Sequence, residues 1–91
     1  MVVPFHNDER GYAAWMYVNP DGYVFNHFGG RDSGYNVVHR ARCSFLRRAV
    51  DVGARTTVPK VCGEKREEVE AEASRLRDGP RGWKHCGVCM R

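Results

Sequence analysis

Nowhere do these 91 residues contain the run of ~20 apolar residues that a membrane-spanning helix requires. The apolar stretch from Tyr12 to Val18 is too short and runs into a turn. Asp8 and Glu9 fall where a secretory signal would carry its apolar core, so no export address is read there. A reducing, cytoplasmic setting without membrane contact is therefore the expectation. Internal repeats and low-complexity tracts are missing too, which argues against solenoids and unstructured linkers. The chain is also too short to enclose a second core, so a multidomain enzyme is excluded and residues 1–91 are expected to form one small domain.

What is present suits a folded domain. Hydrophobic residues make up 42% of the chain and ten are aromatic, more than a disordered segment carries. Fifteen Lys and Arg against eleven Asp and Glu leave a net charge of +4, a mild preference for anionic partners. A domain this small hides only somewhat more than ~60% of its unfolded surface, so a metal or covalent cross-link would supplement its core. Four cysteines could supply either. In a reducing compartment they are read as thiolate ligands or buried thiols rather than disulfides.

The expected architecture is α+β, with a small antiparallel sheet of about three strands, one short helix and one long one. Strand-forming Tyr12, Trp15, Tyr17 and Val18, the turn tetrad Asn19-Pro20-Asp21-Gly22, and Tyr23-Val24-Phe25 read as a β-hairpin. Alternate aromatics of this hairpin are expected to pack inward, leaving others to stack on a partner. Gly29-Gly30 and Asp32-Ser33-Gly34 mark a mobile loop before a third strand at Tyr35–His39. Apolar and basic residues recur at roughly helical spacing from Arg40 to Val50, which predicts a short helix or a pair of turns. Thr57–Cys62 reads as an extended edge piece because Pro59 cannot donate a ladder bond. The long helix is expected from about Glu64 to Arg77, with Val69, Ala73 and Leu76 on one stripe and Gly79-Pro80 as the stop.

Two cysteine spacings carry the chemistry. In Cys86-Gly87-Val88-Cys89 a tight turn lets both sulfurs approach one ion while backbone amides soften the charge. A redox dithiol would use the same spacing, but at a helix start near a βαβ unit, whereas this pair lies close to the last residue given. His39 and Cys43, three residues apart where a strand enters a turn, can converge on one tetrahedral position. Together the pairs form His-x3-Cys, 42 intervening residues, then Cys-x2-Cys. One nitrogen and three sulfurs suit Zn2+, and a closed four-ligand site is structural by default. The site would staple the tail and long helix to the strands. Cys62 stays open as an alternative ligand in place of His39, its other reading being a buried thiol at a strand end. His85, beside Cys86, points away from the same ion, and His6 and His27 have no partner spacing.

The stretch Tyr35-Asn36-Val37-Val38-His39-Arg40-Ala41-Arg42-Cys43, with the closing Cys86-Gly87-Val88-Cys89, resembles the zinc-binding module of the Ada alkyl-phosphotriester repair family and its smaller relatives. The correspondence spans roughly residues 35 to 91. His39-Arg40-Ala41-x-Cys43 and Lys60-Val61-Cys62 are also similar to a group of short proteins without an assigned activity. In Ada proper the first ligand is a cysteine that accepts a methyl group from a DNA phosphotriester. His39 stands at that position, and an imidazole is a far weaker acceptor than a zinc thiolate. The resemblance therefore implies a zinc site and a phosphate-facing surface rather than methyl transfer.

Charge points the same way. Between His39 and Gly63 six cations, Arg40, Arg42, Arg47, Arg48, Arg55 and Lys60, face the lone Asp51, a local +5 without histidine. Arginine clamps phosphate oxygens bidentately, so Arg40, Arg42, Arg47, Arg48, Lys60 and Lys84 are the expected nucleic-acid contacts, with DNA as partner. The expected function is a non-catalytic, zinc-stabilised module of this kind. One alternative is a protein-interaction or scaffold module docking on another domain. Another is a thiol- or metal-dependent enzyme acting on DNA with Cys62 or Cys43 as nucleophile, for which no base, oxyanion arrangement or open coordination position can be assigned.

Overall fold

The computed structural model describes residues 1–27 and 36–90. The expected Gly29–Gly34 loop and Tyr35 lie outside the described residues. The α+β class holds, but the sheet has five strands rather than three and is mixed rather than antiparallel. In chain order the elements are β1 (Val2–Phe5), α1 (Glu9–Val18), β2 (Tyr23–His27), β3 (Asn36–Arg40), two 3₁₀ turns (Ser44–Leu46 and Ala49–Asp51), β4 (Lys60–Gly63), α2 (Arg66–Leu76) and β5 (Lys84–His85). The strands lie in the order β1-β4-β2-β3-β5. β1, β4, β2 and β3 pair antiparallel, and short β5 runs parallel to β3.

The first arm of the expected hairpin is a helix. Asp8 caps α1, its carboxylate accepting the Gly11 N–H at 2.9 Å, and Glu9 stands in the first turn where the helix dipole favours an anion. Tyr12, Trp15 and Met16 fall three and four residues apart, so they share one helical face, and Tyr12 and Met16 are buried. Capping and this spacing outweigh the strand propensity of Tyr, Trp and Val, which packing context readily overrides. The tetrad at residues 19–22 still turns, the Gly22 N–H donating to the Asn19 carbonyl at 3.1 Å, but it ends a helix instead of joining two strands. Tyr17, once expected on a strand, is exposed on α1, while Phe25 is fully buried.

β4 is likewise not an edge: it lies between β1 and β2 and all four of its residues are buried. Pro59 sits just before the strand, where its missing N–H costs no ladder bond, and its carbonyl accepts the His27 N–H at 2.9 Å. The long helix falls within the expected range. Val69 and Ala73 are buried, Leu76 packs at the margin, and Glu67 and Glu68 occupy the first turn. It ends through Asp78 and Gly79, both at positive φ, with the Gly79 N–H returning to the Ser74 carbonyl at 2.7 Å.

Register divides the core into two layers. Cys62, Val24 and His39 are cross-strand partners on one face, and Val61, Phe25 and Val38 form the next row on the other. All six are buried, so the sheet is covered on both sides. α2 packs on β2 and β4, and α1 reaches the sheet through an edge-on contact of Tyr12 with Phe5 at 6.1 Å. Among the described residues no helix is long and apolar enough to cross a membrane.

Candidate metal centre

Alternation along β3 and the chain after it builds half of the site. His39, Ala41 and Cys43 point inward and are buried, while Arg40 and Arg42 between them are exposed. The other half comes from the turn after β5, which the Cys86 N–H fastens to β3 by donating to the Val38 carbonyl at 2.9 Å. One potential ligand atom from each of His39, Cys43, Cys86 and Cys89 lies within 4.8 Å of every other, and the Cys43 and Cys86 sulfurs are 3.8 Å apart. The two sequence-distant pairs thus meet, an arrangement compatible with metal binding.

The electrostatics suit the same chemistry. Burial, helped by the positive charge of Lys60, pushes the His39 pKa down to about 4, so the imidazole is neutral near pH 7 and keeps a lone pair to donate. Its buried Nδ1 has no hydrogen-bond partner among the described residues, a desolvation cost left uncompensated by the protein. Burial raises the Cys43 thiol to about 12, and the neighbouring Cys86 and Cys89 sulfurs add to the rise. For Cys86 burial also opposes ionisation, but the N–H groups of Cys89 and Val88 and the two neighbouring thiols outweigh it and lower its pKa. The Arg40 N–H donates to the Cys89 sulfur at 3.2 Å. Backbone donors aimed at sulfur are what a thiolate cluster needs, since three anions crowd together only when amides and a cation offset the repulsion. The donors fit a thiophilic cation, for which His39, Cys43, Cys86 and Cys89 offer four ligand groups.

Cys62 is outside this set. It lies on β4, with Val24 of β2 between it and His39, and two strand spacings amount to roughly 10 Å. Fully buried and with its pKa raised to about 12 by burial, it is a core thiol held largely protonated. His85 bonds Glu70 of α2, and His27 stacks on Phe25.

The expected phosphate contacts divide. Arg40, Arg42, Arg47, Arg48 and Lys84 are exposed. Arg40 Nε donates to the Cys89 carbonyl at 2.9 Å and its guanidinium lies over the Tyr23 ring, while Arg47 Nε donates to the Ala41 carbonyl at 3.2 Å. Among the described residues no carboxylate pairs with either. Arg42 pairs with Asp21 at 2.9 Å and Arg48 with Asp51 at 3.7 Å. Lys60 departs from the expectation: only 7% exposed, it alternates into the interior of the sheet and bonds Asn26 on the adjacent strand. Sequence reasoning also passed over the tie between Arg55 and Glu9, in which Arg55 Nε donates to the carboxylate at 2.8 Å and the Gly53 and Arg55 N–H groups donate to its other oxygen. Their separation of 46 residues leaves no local signal to find it by.

No family model matches this chain, and neither a curated protein nor a solved structure is significantly similar to it.

Proposed function

We propose that the protein is a non-catalytic, zinc-stabilised module that contacts nucleic-acid phosphates through its arginine-rich segment. The zinc assignment is supported by donor chemistry and by distance. Four ligands at the corners of a tetrahedron with bonds of about 2.3 Å stand roughly 3.8 Å apart, and the Cys43 and Cys86 sulfurs are separated by 3.8 Å. One nitrogen and three sulfurs favour zinc over hard cations, which prefer oxygen. Filling all four positions with protein ligands leaves none for a substrate or water, which supports a structural rather than catalytic role. This is also the Ada-like pattern that the His-x3-Cys and Cys-x2-Cys spacings resemble.

The phosphate reading is carried by the alternation around the ligands. Burial of His39 and Cys43 turns Arg40 and Arg42 outward beside the cluster, and Arg47, Arg48 and Lys84 are exposed as well. A metal would hold this basic segment in place, reducing the ordering cost of binding a phosphate backbone. The test is fluorescence anisotropy with labelled single- and double-stranded DNA over a salt series. Binding is expected to weaken with salt, and Arg47→Ala and Arg48→Ala are each expected to reduce the slope of log K against log salt by about 1. No binding at low ionic strength would overturn the phosphate reading and leave the zinc reading standing. A protein-docking role is the second reading, favoured by Phe45, Val50 and Val52, which are 55%, 77% and 64% exposed on one short segment.

A further inference from the structure

On the sheet face that carries Lys60, Asn26 and His39, a cavity of about 370 Å³ opens between the strands, α1 and the 3₁₀ segment. That volume is at the lower end of the range for small-molecule sites. Lys60 lines it, 7% exposed, and its ammonium bonds the side-chain oxygen of Asn26, a neutral acceptor. A buried ammonium normally has a counter-charge, because moving an ion out of water is costly unless it is paired. Among the described residues Lys60 has no carboxylate partner. Of the acidic groups nearby, Glu9 is held by Arg55, and half-exposed Asp51 lies 3.7 Å from Arg48.

The three cations Lys60, Arg48 and Arg55 thus face two carboxylates, leaving one positive charge in excess. Tyr12, wholly buried, forms part of the same wall, and its hydroxyl has no hydrogen-bond partner among the described residues. The remaining lining is mixed: Arg48, Asp51 and Thr57 supply polar edges, while Phe45, 55% exposed, buried Leu46 and Val58 supply an apolar portion. We infer that this cavity binds a small organic monoanion, a carboxylate whose charged end sits on Lys60 and whose apolar body lies against Phe45, Leu46 and Val58. One excess positive charge balances a carboxylate, whereas a phosphate dianion would keep one negative charge uncompensated. The site stands on Lys60 and the cavity, so it depends on neither the zinc nor the nucleic-acid reading.

The experiment is a ¹⁵N–¹H NMR titration of the protein as purified with sodium benzoate, at fixed pH and ionic strength, with sodium chloride and inorganic phosphate as parallel arms. Benzoate is expected to give saturable shifts at the amides of Asn26, Phe45 and Lys60, and chloride none. Lys60→Met keeps the aliphatic stem and removes the charge, and is expected to weaken benzoate about tenfold or more, the worth of a charged hydrogen bond. Should that variant not fold, Phe45→Ser at the exposed rim replaces it, with a several-fold loss expected. Absence of saturable shifts in the wild-type protein, unchanged affinity in the folded variant, or tighter binding of phosphate than of benzoate would each overturn the proposal.

Discussion

Removing the metal from the His39, Cys43, Cys86 and Cys89 set is expected to lower the thermal midpoint by roughly 15 to 30 °C. The figure follows from the loop the ion closes. From Cys43 through Cys86 is a span of about 44 residues, and cross-linking a loop of that size removes about 4 kcal/mol of unfolded-chain entropy. In a domain of this size each kcal/mol moves the midpoint by about 4–8 °C. Total stability at ~0.05–0.15 kcal/mol per residue comes to about 5–14 kcal/mol, so the stripped protein should remain folded but marginal. Loosening should begin in the tail, which otherwise holds to the sheet through the Cys86–Val38 bond, the short β5 pairing and the Arg40 contacts to Cys89. The assay is calorimetry before and after chelation, with elemental analysis to confirm loading and removal, and hydrogen exchange to follow residues 84–90. Stoichiometric zinc should persist in Cys62→Ala and be lost in His39→Ala. An unchanged midpoint once the metal is demonstrably gone, or equal alkylation of Cys86 and Cys89 with and without chelator, would refute the reasoning.

Two further outcomes test the scaffold. Glu9→Gln should cost about 2–3 kcal/mol in urea unfolding at neutral pH, because both partners of its ion pair are less than a quarter exposed and the variant leaves Arg55 without a counter-charge. The hydrogen bond from Arg55 holds the Glu9 pKa below the ordinary carboxylate value. Its contribution is thus complete above the unfolded pKa of about 4.3 and lost as pH falls through the lower folded value, so wild type and variant should converge in acid. Gly22→Ala should destabilise by about 1–3 kcal/mol. A methyl there would stand 2.7 Å from the Trp15 ring and 2.9 Å from the Gly63 carbonyl, a backbone atom of a buried strand that cannot yield as a side chain can.

The two ligand pairs and α2 were legible in the sequence because each rests on local spacing, whereas the meeting of the two pairs depends on how the turn after β5 docks on β3. A Cys-x2-Cys turn presents two sulfurs wherever it occurs, and Val69, Ala73 and Leu76 form a stripe on any helix of 3.6 residues per turn. α1 was legible in principle through the Asp8 cap and the spacing of Tyr12, Trp15 and Met16, but strand propensity in the aromatics masked it. The interior place of β4 had no such sign, since four buried residues after a proline read equally well as an edge.

By itself the sequence determined which side chains could take a metal, that a long helix lies within residues 64–77, and the excess of positive charge between residues 39 and 63. Those properties belong to neighbours along the chain and survive any packing. Only the tertiary structure decided that Cys62 stands two strands from His39, that Lys60 is enclosed while the arginines around it are exposed, and that Glu9 is committed to Arg55. Each of these depends on strand order and register, because alternation in a sheet sends a side chain to one face or the other only once its partner strand is fixed, and those partners come from distant parts of the chain.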